Sequence, residues 1–275
     1  MHALCTARDE GVSQGPYASM NLGSHVGDAP DAVQENRARL HAVVGLQTTG
    51  ARPVFLSQVH GTNVVALDAC SPDGLEADAC LTTQRGPVCT IMVADCLPVL
   101  LAHRSGAVVA AAHAGWRGLA GQGVAEGVAG RGVLESVADA ICRQISALAL
   151  ADQAQSALEN VANEGIAGDI QAWLGPCIGP RAFEVGAEVR EAFLAWSAQT
   201  SVCFAPVPDS PGKWLANLPA LARLRLQALG VTRIYGNDGS DAWCTYTQAS
   251  RFFSHRRDTA LLGGSGRLAA CIWLG

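Results

Sequence analysis

The stretch VVAAAHAGWRG, residues 108–118, runs small apolar residues straight into His113, and Gly115, Trp116, Arg117 and Gly118 follow at once. A short apolar run closed by glycine reads as a strand buried on both faces. An imidazole at its end, just where the backbone must turn, calls for a partner. Two other stretches end in a similar way. VCTIMVADCLP (88–98) passes from apolar residues into Asp95, Cys96 and Pro98, and VFLSQVHG (54–61) ends in Gln58, His60 and Gly61. Strand ends of one sheet can converge, and loops held by a rigid scaffold are where function usually sits.

Two imidazoles and a thiolate make a nitrogen–sulfur set suited to zinc. Three protein ligands leave a fourth position open, which is the catalytic pattern and not the structural one. The spacing is long and contains no CxxC or HxxxH, so the residues leave plainer readings open. A histidine at a strand end also serves as a hydrogen-bonded packing residue, and a cysteine in an apolar segment as a small hydrophobe. A rival chemistry uses Cys96 and His113 as a nucleophile–base dyad of a thiol hydrolase. That dyad needs one imidazole and leaves His60 without a role.

The bulk composition narrows the setting. With 16% charged and 49% hydrophobic residues and a formal net charge of −5, the 275-residue chain gives no electrostatic reason to expect nucleic acid or an anionic membrane as partner. No apolar run reaches the roughly 18 residues of a spanning helix, and the start MHALCTARDE lacks a signal-peptide pattern. The ten cysteines are scattered, with no CxxC pair, and point to a reducing compartment, the cytoplasm.

Strands are expected at 53–57, 63–67, 88–94, 107–112, 171–174, 232–235 and 268–274, and helices at 31–44, 133–149, 184–196 and 218–229. In the second helix Val133, Val137, Ile141, Ile145 and Leu148 recur at three- and four-residue steps. In the fourth, Asn217 stands as cap with Pro219 in the first turn. Strands mixed with helices, without strict alternation, predict an α+β fold. The expected form is a single domain over 1–275, with mixed β-sheets flanked by helices in an α/β/β/α-like layering. The alanine-rich stretch 150–168 reads as an exposed helical excursion or loop.

The motifs NLGSHVGD (21–28), ENR (35–37), SQVHG (57–61), ADCLPVLL (94–101), AAHAGWRG (111–118), LGPCIGPRAFEVG (174–186) and FFSHRRD (252–258) occur in this order. Together they resemble the family long labelled laccase-domain or multicopper polyphenol oxidase proteins. Its members are described as zinc-dependent purine nucleoside phosphorylases with adenosine deaminase activity, and some as peptidoglycan editing factors. The resemblance covers nearly the whole chain. TARDEG (6–11) departs from the family's usual turn there, and the segment around 150–168 is longer than the family suggests. Neither departure touches a ligand position.

The resemblance implies one zinc per chain on His60, Cys96 and His113, a site that copper can also enter in vitro. It implies purine nucleoside and phosphate as substrates. Phosphorolysis attacks the ribose C1′ with phosphate, and deamination delivers a zinc-activated water to C6 of adenosine. Arg37, Arg117 and Asn21 are then candidates for phosphate or ribose contacts. Asp95 is a candidate proton acceptor or orienter of a ligand. Plainer roles stand beside these: a surface ion pair for Arg37, packing on Trp116 for Arg117, a turn cap for Asn21, and backbone amides for Asp95. His25 and His255 sit in matching motifs but are not needed as further ligands, and HRRD (255–258) reads as a solvated charge cluster. A four-copper laccase is excluded chemically, because seven histidines without an HxH pair cannot hold four coppers. Besides the thiol hydrolase, a remaining alternative is a non-catalytic cell-wall quality-control role with structural zinc.

Overall fold

The computed structural model describes residues 1–121, 130–153 and 167–275. A four-stranded sheet runs in the order β1 (His2–Cys5), β13 (Leu268–Trp273), β5 (Pro87–Val93), β2 (Arg52–Phe55). A six-stranded sheet runs β12 (Arg233–Gly236), β8 (Ile170–Leu174), β6 (Leu97–His103), β7 (Val109–Ala114), β4 (Ala79–Thr82), β3 (Val64–Ala66). A small third sheet joins β10 (Phe204–Pro206), β11 (Lys213–Ala216) and β9 (Glu184–Gly186). Both larger sheets mix directions: β2 runs parallel to β5 while β13 runs antiparallel to it, and β8 is parallel to β12 but antiparallel to β6.

The helices are α1 (Pro30–Gln47), α2 (Trp116–Ala120), α3 (Val133–Gln153), α4 (Ala187–Trp196), α5 (Leu218–Ala228) and α6 (His255–Leu262). Strand alternation explains the layering. Leu100 and Ala102 of β6 and Val109 and Ala111 of β7 face the first sheet, packing with Ile91, Val93, Leu268 and Ala270. Their neighbours Val99, Leu101, Ala110 and Ala112 face Leu134, Val137 and Ile141 of α3. On the outer side of the first sheet, Leu40 and Val44 of α1 cover Phe55, Met92 and Trp273. Each central strand is buried on both faces, so β5, β6 and β7 read as continuous apolar runs. The α+β class with mixed sheets between helices is the fold the chain adopts.

Local differences from the sequence expectation have local causes. The segment 184–196 splits, because residues 184–186 pair with β11 before α4 begins at Ala187. The stripe on α3 leaves the core after Ile145, and Leu148 is exposed. Most of the 150–168 stretch lies outside the described residues. All ten cysteines are free thiols, and among the described residues no helix is long and apolar enough to cross a membrane.

Asn217 caps α5 as its position suggests, its side chain accepting from Ala220 N at 3.0 Å. Asn217→Ala is expected to cost about 1 kcal/mol of stability, read as a lower denaturant midpoint with an unchanged slope.

The site-forming feature is a crossing. Between β5 and β6 the chain leaves the four-stranded sheet and enters the six-stranded one within residues 94–96, and Asp95 takes the left-handed backbone (φ 89°) to make the turn.

Candidate metal centre

The crossing sets Cys96 at the head of β6. Register then fixes its neighbour: Pro98 pairs with His113 and Leu97 with Ala114, so the end of β7 lies alongside. His60 enters on the loop after β2, also in the left-handed region (φ 63°). The ligand-type atoms of His60, Cys96 and His113 all lie within 4.8 Å of one another. Sγ of Cys96 stands 3.8 Å from Nε2 of His60, and the two imidazole rings meet edge to face at 4.8 Å. A tetrahedral zinc with ordinary Zn–S and Zn–N bonds separates its sulfur and nitrogen by about 3.6 Å, close to the 3.8 Å between Cys96 Sγ and His60 Nε2, so the chemistry and spacing of the donor set suit such an ion. Among the described residues no other group of three or more His, Cys, Asp or Glu offers such a cluster.

Asp78 organises this trio, and sequence reading missed it. It sits fully buried at the start of β4. Its Oδ1 accepts from His113 Nδ1 at 2.8 Å and from His60 N at 2.9 Å; its Oδ2 accepts from Gly61 N at 2.6 Å and Val59 N at 3.2 Å. The Asp78 carbonyl also accepts from His113 N at 2.7 Å. One carboxylate therefore fixes the His113 ring, leaving Nε2 toward the cluster, and shapes the loop that carries His60. The only sequence signal was an acid directly ahead of a short apolar run. Its partners are far away in the chain.

The glycines of HAGWRG have a steric job. A Cβ on Gly115 would stand 3.0 Å from His60 Cδ2 and 3.1 Å from Cys96 Sγ, and one on Gly118 would stand 2.6 Å from the Gly61 carbonyl oxygen. Their bareness lets the first turn of α2 lie against the His60 loop. The imidazole thus ends the strand where the Cys96 turn, the His60 loop and a bare helix start meet it.

The cluster is electrostatically coupled. Burial alone pushes the Cys96 thiol up, but the His113 charge and hydrogen bonds to His113 and His60 outweigh it and bring the thiol to about 6. Burial pushes His113 down, yet the Cys96 charge and the hydrogen bond to Asp78 raise it to about 9. Burial opposes ionisation of Asp78 as well, and the His113 contact with the Gly61 and His60 amides holds it below the ordinary carboxylate range. Without metal the pair is thiolate and imidazolium between about 6 and 9. A metal ion must then displace one proton from the pair in that window, and two below it, so affinity rises with pH. Calorimetric titration of zinc in buffers of different ionisation enthalpy is expected to show about one proton released from the pair near pH 7.5, and about one more below pH 6.

The trio opens into a cavity of about 360 Å³, whose walls include Trp116, Phe183, Arg117, Arg256 and Arg267. Arg117 is exposed and stacks on Trp116 at 4.6 Å. Asp95 lines the cavity, but both its oxygens are taken: Thr245 Oγ1 donates to one at 2.6 Å and Arg256 N to the other at 2.7 Å. It thereby fastens the crossing to the start of α6. Arg37 lies over the Phe55 ring at 3.8 Å, donates to the Leu22 carbonyl and pairs with Asp73. It lines a second cavity that meets the first at His25, Gln58 and Met92. Asn21 is fully buried and lines neither. His25 and His255 line the first cavity, outside the three-residue cluster. Within HRRD the charges divide: Arg257 and Asp258 are buried and bonded to each other at 2.7 Å, not solvated as the sequence suggested.

The family described as multi-copper polyphenol oxidoreductase laccase matches this chain over residues 2–150 and 146–275, and the chain belongs to it. A relative from Escherichia coli (strain K12), named purine nucleoside phosphorylase YfiH, is 45% identical over 272 residues, covering 99% of this chain and 93% of its own. One from Pseudomonas aeruginosa, also named a purine nucleoside phosphorylase, is 43% identical and covers 100% of this chain and 93% of its own. The crystal structure of Neisseria meningitidis protein NMB0706 superposes with a TM-score of 0.77 at 40% identity, over 99% of this chain and 93% of that one.

Proposed function

We propose that this protein is a zinc-dependent purine nucleoside phosphorylase that also deaminates adenosine. The observation that carries the reading is the His60–Cys96–His113 cluster at the floor of a cavity walled by two aromatic rings and three arginines. The names of its relatives support the choice of substrate. A zinc held by those three side chains would supply Lewis-acid polarisation and acidify a water toward neutrality. Asp78 holds the ring of His113 and the His60 loop in place for it. Trp116 and Phe183 offer flat apolar faces to a purine, and the arginines favour the phosphate and the charge that develops on the departing base. The multi-copper part of the family's label finds no support in the described residues, which offer a single cluster with three donors.

A second reading is favoured by one observation. Cys96, His113 and Asp78 also form a thiolate–imidazolium–carboxylate chain, the arrangement of a thiol hydrolase. The Cys96 thiolate would attack an acyl carbon, His113 would give its proton to the leaving group, and water would release the acid.

Chromatography of products from adenosine separates the readings. Zinc-loaded protein is expected to yield adenine and ribose 1-phosphate with phosphate present, and inosine without it, and chelation to abolish both. Metal content near zero with inactivation by iodoacetamide would favour the thiol hydrolase. No turnover under any metal loading would favour a binding protein with structural zinc.

A further inference from the structure

The cavity has three arginines on its wall and one carboxylate, Asp95, whose oxygens are already bonded. The arginines are not equivalent. Arg256 spends both terminal nitrogens on the Glu184 carbonyl at 3.1 Å. Arg117 is exposed and stacks on Trp116, with no hydrogen bond from its side chain among the described residues. Arg267 donates through one terminal nitrogen to the carbonyls of Ser265 and Gly266, at 3.0 and 3.1 Å, which leaves Nε and the other terminal nitrogen without an acceptor among the described residues.

Arg267 is also the arginine the fold takes most trouble to seat. Asn21, fully buried, accepts from Arg267 N at 2.8 Å and from Gly23 N at 2.9 Å through the same oxygen. Its amide nitrogen is bonded to Asp28 and the Gly23 carbonyl. Gly23 is held directly under the arginine stem: a Cβ there would stand 2.7 Å from Arg267 Cγ. The NLG motif thus builds a socket for a residue 244 positions away from its glycine, as 267 − 23 gives. His25 and His255, on the same wall, are held below their ordinary range by burial and then by the Arg267 charge, and Arg267 itself feels Cys96 and Asp95.

We infer that Arg267, seated by Asn21 and Gly23, is the anchor of an oxyanion subsite beside the metal cluster, and that its ligand is inorganic phosphate. The choice of phosphate rests on the phosphorylase reading; the subsite itself rests on the geometry. A preordered guanidinium with two free N–H groups presents a fork that matches two phosphate oxygens. Asn21 and Gly23 are positioning residues that act through Arg267.

The test is titration of inorganic phosphate into zinc-loaded protein, followed by calorimetry or phosphorus resonance broadening. Arg267→Met is expected to weaken binding on the order of 10- to 100-fold, with zinc content and melting temperature kept. Gly23→Ala is expected to weaken it by displacing the stem. Arg267→Lys, which keeps the stem and the charge but loses the fork, is expected to fall between wild type and Arg267→Met. Arg104→Gln, whose side chain pairs with Asp169 away from the cavity, is the control expected to bind as wild type. Wild-type affinity in both Arg267 variants, or no phosphate binding by the parent protein, overturns the subsite. Arg267-dependent phosphate binding in a protein that forms no ribose 1-phosphate would sink the phosphorylase reading and leave the subsite standing. Phosphorolysis with an unchanged phosphate KM in Arg267→Met would do the reverse.

Discussion

Replacing Cys96 by alanine is expected to leave the chain without stoichiometric zinc and to lower phosphorolysis of adenosine by more than about 100-fold. The size follows from comparison with an outer partner: losing a group that orients a metal ligand typically costs 10- to 100-fold in metal affinity or activity, and losing a ligand must cost more. Asp78→Asn supplies that internal standard. It keeps the volume and the acceptor at His113 Nδ1 and His60 N but removes the charge, and with Oδ2 the acceptor of the Gly61 and Val59 amides. It is expected to fall within the 10- to 100-fold range. Metal analysis after dialysis and steady-state rates measure both. A Cys96→Ala protein that retains one zinc per chain and full turnover would remove Cys96 from the centre.

Arg225→Leu is expected to destabilise the fold by about 3–5 kcal/mol, the cost typical of removing one partner of a buried ion pair. Arg225 is fully buried on α5 and bonds Glu135 of α3 at 2.7 Å. It also donates to the carbonyls of Gly130 and Ala120, and its guanidinium lies 4.4 Å from the centre of the Trp196 ring. One side chain therefore ties together α3, α5 and the end of α2, the short helix packed against the His60 loop. Deleting it leaves the Glu135 carboxylate short of its counter-charge and two carbonyls short of donors. The double variant Arg225→Leu, Glu135→Leu is expected to recover part of the loss, because the stranded charge is gone. Denaturant unfolding measures both. A single variant within 1 kcal/mol of wild type would show that packing alone holds this junction.

What the sequence made legible follows physical range. Strand ends carrying His60, Cys96 and His113 could be read because each is announced by its own apolar run, and the α+β class because those runs are mixed with helical stripes without strict alternation. β6 lies outside the strands expected from the sequence. Pro98, one residue into it, looks like a break, though a proline so near a strand's start costs little. The short strands β4, β9, β10 and β11 and the helices α2 and α6 carry too few residues for periodicity to register. Within the site, Asp78 and Arg267 were invisible for a different reason. Their meaning lies wholly in partners distant in the chain, so no local pattern marks them. Asn21 and Arg37 stand in motifs, but membership does not say which way a side chain is spent. Asn21 is spent on Gly23 and Arg267, and Arg37 on Leu22, Phe55 and Asp73.

X-ray absorption at the zinc edge of the loaded protein tests the metal centre most directly. A shell of one sulfur near 2.3 Å with nitrogen or oxygen near 2.0–2.1 Å is expected, the sulfur vanishing in Cys96→Ala. A shell without sulfur in the wild-type protein, or one unchanged by that substitution, would contradict the assignment of His60, Cys96 and His113 as the ligands.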